Sequence, residues 1–165
     1  MSRMAEQRPL ISAAVTLGIG LGGFIDGIVF HQILQLHNML SARRPPTNLV
    51  NLEINMFWDG LFHLFCWIVC LVGLAMLWNV VQARRTPLVT STFYGSLLAG
   101  WGLFNLVEGV IDHHILHLHH VVESDGHLLY DLAFLASGVF FVGIGWMMIQ
   151  RHGQAFIAAN CLAAS

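Results

Sequence analysis

The sequence predicts an all-α integral membrane protein, a four-transmembrane-helix bundle built from two duplicated helical hairpins. Three observations lead there. The 165 residues are 56% hydrophobic and only 10% charged, with a mean hydropathy of +0.69, whereas a water-soluble domain carries about 25% charged residues. Four apolar runs, residues 10–30, 57–81, 93–111 and 128–149, each approach or exceed the ~20 residues that cross a ~30 Å hydrocarbon layer. The first half of the chain also returns in the second.

In lipid every backbone polar group must be satisfied within the segment, so each run predicts a helix. The first follows Arg3 and Arg8, as a signal peptide would, but no small-residue cleavage site closes it, and it runs on into Asp26 and His31. Its Gly18-xxx-Gly22 and Gly23-xxx-Gly27 spacings offer a small-residue edge for close helix approach. The second follows the proline-bearing stretch ARRPPTNLVN and sets Asp59, His63, Cys66 and Cys70 along one stripe. Those cysteines and Cys161 make no disulfide framework, and Cys66 and Cys70 suit packing. The third ends in FNLVEGVIDHHILHLHH, the most polar stretch of the chain. The fourth opens on His127 and Asp131, four apart and on one face.

Residue n laid over residue n+82 superposes helices 1 and 3, with nine identities in the twenty-two positions from Gly18, among them Gly27 on Gly109, His31 on His113 and His37 on His119. Asp26 then meets Glu108, and an offset of 72 brings Trp58-Asp59 onto Tyr130-Asp131. One membrane domain over residues 1–165 follows, with repeat 1 at about 10–82 and repeat 2 at about 92–150. Two-span units enter from the same side, giving a parallel repeat about an axis along the membrane normal.

The basic residues are seven arginines. Arg3, Arg8, Arg84, Arg85 and Arg151 fall on one side and Arg43 and Arg44 on the other, so the positive-inside rule predicts both termini in the cytoplasm. The net charge of −2 argues against a nucleic-acid partner.

Asp26, Asp59, Glu108, Asp112 and Asp131 then sit in the outer half of the spans, with no Lys or Arg inside to neutralise them. A polar residue in a span ordinarily hydrogen-bonds a neighbouring helix; five acids at one depth are a different matter. Unpaired, they would cost on the order of 10 kcal/mol, comparable with the stability of a whole fold. A structural zinc returns about 10–16 kcal/mol, and carboxylate–histidine ligation inside a four-helix bundle is the di-metal arrangement. The nominated metal ligands are Asp26, His31, Asp59, His63, Glu108, Asp112, His113, His127 and Asp131, holding two ions of Fe, Zn or Cu. On an α-helix at 100° per residue, His31 is turned ~140° from Asp26, and His37 stands ~16 Å further along. That geometry leaves His37, His119 and His120 at the membrane surface.

GFIDGIVFHQILQLHNM, NMFWDGLFH and GWGLFNLVEGVIDHHILHLHHV resemble the motifs of a bacterial four-helix membrane family of unknown function. The resemblance implies a multi-pass protein of the bacterial inner membrane and a link to cytochrome oxidase assembly. Its pattern marks Asp26, His31, Gln32, His37, Asp59, His63, Asn105, Glu108, Asp112, His113, His114, His119, His120 and Asp131, while Asn38 and His117 depart from it. Four functions compete: a di-metal oxidoreductase or hydrolase, a metal carrier or assembly factor serving respiratory-chain proteins, a b-type cytochrome, and a proton pathway. Acids level with the histidines argue against haem, which wants an apolar pocket.

Overall fold

The structure, a computed structural model, describes residues 3–163. The side chains of residues 1–4 and 151–165 lie outside the described residues, and with them Arg3, Arg151, His152 and Cys161. Four α-helices follow the four apolar runs: α1 (Arg3–Ile25), α2 (Leu49–Ala83), α3 (Thr90–Glu108) and α4 (His127–Ala163). Helix α2 begins eight residues before its apolar run because Asn48 caps it, its side-chain oxygen accepting from the Asn51 amide at 2.9 Å. The added turns carry Asn55, fully buried, which accepts from the Leu40 amide and donates to the Arg44 carbonyl, tying the preceding loop to the helix.

Three of the helical stretches, Ala5–Ile33, Leu49–Ala83 and His127–Gln150, are long and apolar enough to cross a membrane. Helix α3 is less apolar than these, and its position explains why. It packs against both α1 and α4, whereas α2 lies mainly on α1 and α4 on α3. Surrounded by protein, α3 accommodates buried Thr92, Ser96 and Asn105 and the small residues Gly95, Ala99, Gly100 and Gly102. Helices α2 and α4 instead expose Phe57, Trp67, Trp78, Phe140 and Trp146, as lipid-facing surfaces do.

The crossing of α1 and α3 is a contact between backbones. A Cβ on Gly18 would run into the Leu97 carbonyl, and one on Gly100 into the Val15 carbonyl. These two contacts interchange at an offset of 82 residues.

Beyond Ile25 and Glu108 both central helices change their winding. Asp26–Ile33 and Gly109–Ile115 are π-helical, with backbone bonds such as Leu34 N to Val29 O (2.8 Å) and Leu116 N to Ile111 O (2.7 Å). Each then stops in a Schellman-type turn: Leu36 N reaches Phe30 O and Leu118 N reaches Asp112 O, both at 2.9 Å, around a left-handed residue, Gln35 (φ 50°) or His117 (φ 48°). The chain therefore folds back over the helix ends instead of continuing outward.

Candidate metal centre

The π-helical winding decides the site. Bonding from i to i+5 brings residues five apart onto one face, and Asp26/His31 and Glu108/His113 are each five apart. Where an α-helix would turn His31 away from Asp26, His31 Nε2 lies 3.3 Å from Asp26 Oδ2, and His113 Nε2 lies 3.1 Å from Glu108 Oε1. The reversals at Gln35 and His117 bring in the next histidine of each half. His37 and His119, assigned to the membrane surface by α-helical geometry, are 3% and 1% exposed and stack at 4.7 Å between ring centres. The missed signal lay in the sequence: both occur at the same offset as the other paired ligands, while no glycine or proline marks either reversal.

Four buried imidazoles thus converge on two buried carboxylates, and each has its Nδ1 turned outward. His31 Nδ1 meets Asp59 Oδ1 at 2.9 Å and His113 Nδ1 stands 3.2 Å from Asp131 Oδ1. His37 Nδ1 donates to the Val121 carbonyl at 2.9 Å, and His119 Nδ1 to the Met39 carbonyl at 3.1 Å. A carbonyl can only accept, so Nδ1 of His37 and of His119 each carries a proton, and in a neutral His37 ring the inward Nε2 then carries a lone pair. Burial, with His119 and His31 as close basic neighbours, pushes His37 down to about 3, so its ring is neutral.

Asp59 and Asp131 bind the loops and the outer histidine nitrogens, and Asp131 with His120 and His127 also forms a set of atoms close enough to hold a metal ion. Asp59 accepts from the Met39 amide (2.7 Å), Asn38 Nδ2 (2.8 Å) and His31. Asp131 accepts from the Val121 amide (3.0 Å) and His120 Nδ1 (2.7 Å). Both spend their oxygens on loop amides and on the outer nitrogens of histidines, which fixes ring orientation.

The remaining nominees lie apart from the central cluster. His63 binds the Asp59 backbone carbonyl at 2.7 Å. His127 stacks on His120 at 3.9 Å and stands 3.4 Å from Asp131 Oδ2, forming with them a separate, more exposed group. Asp112 is half-buried and lines a cavity beside Glu108.

The loops lock this arrangement across the two halves. Ala42 N bonds Leu118 O at 3.0 Å, Ser41 Oγ donates to Glu123 Oε1 at 2.7 Å, and Arg43 caps the Leu116 and His117 carbonyls at the end of the second π-helical turn.

Inside, the polar atoms are left over. Asp26 Oδ2, His31 Nε2, His37 Nε2, Glu108 Oε2 and His113 Nε2 are buried without a hydrogen-bond partner. His119 Nε2 lies 2.8 Å from Glu108 Oε1. His31, His37 and His119 form one set of atoms close enough to hold a metal ion, and Glu108, His113 and His119 a second. The model of a family of predicted membrane proteins (DUF2243) matches residues 13–152, which takes in this whole cluster. The chain belongs to that family. No curated protein and no solved structure matches it. The family description names no activity, so chemistry alone says what the DUF2243 cluster does.

Proposed function

We propose that this DUF2243 protein is an integral membrane metalloprotein holding two transition-metal ions between its halves, as a resident centre of oxidoreductase type. His31, His37 and His119, with Asp26 beside His31, would hold one ion, and Glu108 and His113, sharing His119, the other. The carrying observation is that Asp26 Oδ2, Glu108 Oε2 and the Nε2 atoms of His31, His37 and His113 are buried without hydrogen-bond partners, while Nδ1 of His31, His37 and His119 is tied to an acceptor. Each orphaned buried polar atom costs about 1–3 kcal/mol, so five of them rival the stability of a whole domain. A divalent cation removes that cost at one stroke. Imidazole with carboxylate suits Fe, Zn or Cu, and a redox metal with an open position activates water or oxygen.

The loop lock favours a resident centre over a carrier. Release of the ion to an assembly partner would require breaking the Asp59 and Asp131 ties. The face-to-face stack of His37 on His119 favours ions over haem, since an axial pair needs the macrocycle between its rings. Counterpart contacts, at offsets of 82 for the loops and 72 for the aspartates, support two duplicated hairpins: Met39 N on Asp59 matches Val121 N on Asp131, and Asn38 on Asp59 matches His120 on Asp131. With the π-helical turn, α3 reaches from Thr90 to Ile115, long enough to serve as a fourth span. The centre would then lie toward the outer face of a bacterial plasma membrane, with both termini cytoplasmic.

Elemental analysis and X-ray absorption on purified protein test this. About two Fe, Zn or Cu per chain with imidazole scattering are expected, falling by at least half in His119→Ala. A folded, stable protein whose full unfolding temperature is reached with no metal would overturn it.

A further inference from the structure

Beside the cluster, between α2 and α3, lies a cavity of about 480 Å³. Its walls are apolar, among them Trp58, Phe62, Phe65 and Phe104, and its polar residues are the acids Glu108 and Asp112. Trp58, Phe65 and Val107 are exposed on the flank of the helices, so the mouth opens sideways where lipid would lie. We infer that this cavity is a binding site for a bilayer-dissolved molecule with a hydroxyl head and an apolar body, entering between α2 and α3 and donating its hydroxyl to Glu108 or Asp112. The inference rests on the membrane placement and names the substrate class of the proposed centre.

The corresponding place on the other side of the molecule shows what a cavity without such a role looks like. Between α1 and α4 the space beside Asp26 is only about 180 Å³. Trp101 stands there where the larger cavity has Ile19, and Phe30 where it has Asp112. Asn105 and Ser137, hydrogen-bonded at 2.9 Å, stand in place of Gly23 and Phe65. One side is filled and carries one acid; the other is open and carries two.

Three features narrow the ligand. A volume of about 480 Å³ falls in the range of ligand pockets, roughly 300–1,000 Å³, and suits an aromatic ring with part of a chain. Glu108, 6% exposed, turns Oε1 toward His119, and beside it Asp112, half-buried and outside the proposed ligand sets, lines the same cavity as a second carboxylate acceptor. Two carboxylates on an apolar wall disfavour an anionic head and favour a neutral hydroxyl, whose bond to a charged acceptor is stronger than one between neutral groups.

The test uses full-length protein in lipid nanodiscs with para-nonylphenol and its methyl ether as probes, and empty nanodiscs as the blank. The phenol is expected to bind about tenfold more tightly than the ether, the weight of one hydrogen bond to a charged acceptor. Ile19→Trp, which copies the blocked side, should weaken both probes at least tenfold while metal content stays constant. Asp112→Asn, a change of nearly equal shape, should bring the two probes closer together without altering metal content. Equal binding of phenol and ether, or an Ile19→Trp variant that binds as wild type does, overturns the inference. If the protein proves free of metal yet shows the phenol preference and its loss in both variants, the lipid site stands and the metal reading falls. If metal is present and neither probe binds, the reverse holds.

Discussion

At the scale of single residues, the site depends on which nitrogen of each imidazole faces inward. His37 carries the clearest consequence. Its ring is held neutral down to about pH 3 in the folded chain, against about 6.5 when unfolded. A group whose folded value is depressed in this way binds more protons unfolded than folded, so its contribution is present above pH 6.5 and lost as pH falls toward 3. The expected outcome concerns metal-free protein: relative to His37→Gln, wild type loses stability progressively as pH falls below 6.5. Denaturant unfolding of both proteins between pH 7.5 and 4.5 checks it, and a constant difference would contradict it. His117 gives a second prediction. It occupies the left-handed region at φ 48°, where a side chain costs on the order of 1 kcal/mol. His117→Gly should therefore leave metal content unchanged and not lower the unfolding temperature; a drop of several degrees would show that the ring itself matters. The acids and two of the four central histidines, His31 and His113, were legible in the sequence, since charge in oil demands compensation. His37 and His119 were not, because each lies past a helix end that neither glycine nor proline announces.

At the scale of elements, the π-helical turns are the feature that sequence pattern missed. Hydropathy located all four helices, and the self-similarity of the chain paired Asp26 with Glu108 and His31 with His113. An assumed 100° per residue then turned the carboxylate and histidine of each pair apart, because hydropathy reports which residues are apolar and says little of how tightly the backbone winds. The extra residue in each turn is what reunites them. Inserting one alanine after Val29 would set Asp26 and His31 six residues apart, turned away from each other in an α- or a π-turn alike, and so carry His31 away from Asp26. Metal content is then expected to fall by about one ion per chain while helical circular dichroism is kept; retention of both ions would mean the winding is incidental. The glycine crossing behaves differently. Gly18→Leu has only backbone to push against, so α1 and α3 must separate, at a cost of about 1–3 kcal/mol or more. Thermal unfolding of this variant should show it even in metal-free protein, which separates a packing defect from a ligand defect.

At the scale of the whole molecule, neither half encloses a site alone. α1 and α3 supply the carboxylates and first histidines, α2 and α4 supply Asp59 and Asp131, and each loop lends a carbonyl to the histidine of the other half: Val121 to His37, and Met39 to His119. On the proposed reading, metal binding, loop order and the joining of the halves are therefore one equilibrium. An ion that binds only the folded chain stabilises it by RT ln(1 + [L]/Kd), about 2.7 kcal/mol at a hundredfold excess over Kd and 4.1 at a thousandfold. Removing the ions with a chelator should lower the unfolding temperature by several degrees, and re-addition should restore it. The same treatment should speed hydrogen exchange at the Met39 and Val121 amides together, because each bonds the aspartate that orients a ligand histidine. Exchange that quickens at only one of the two would mean that the halves hold their ions independently. With His119 close to ligands of both sets, joint opening is the outcome the geometry requires.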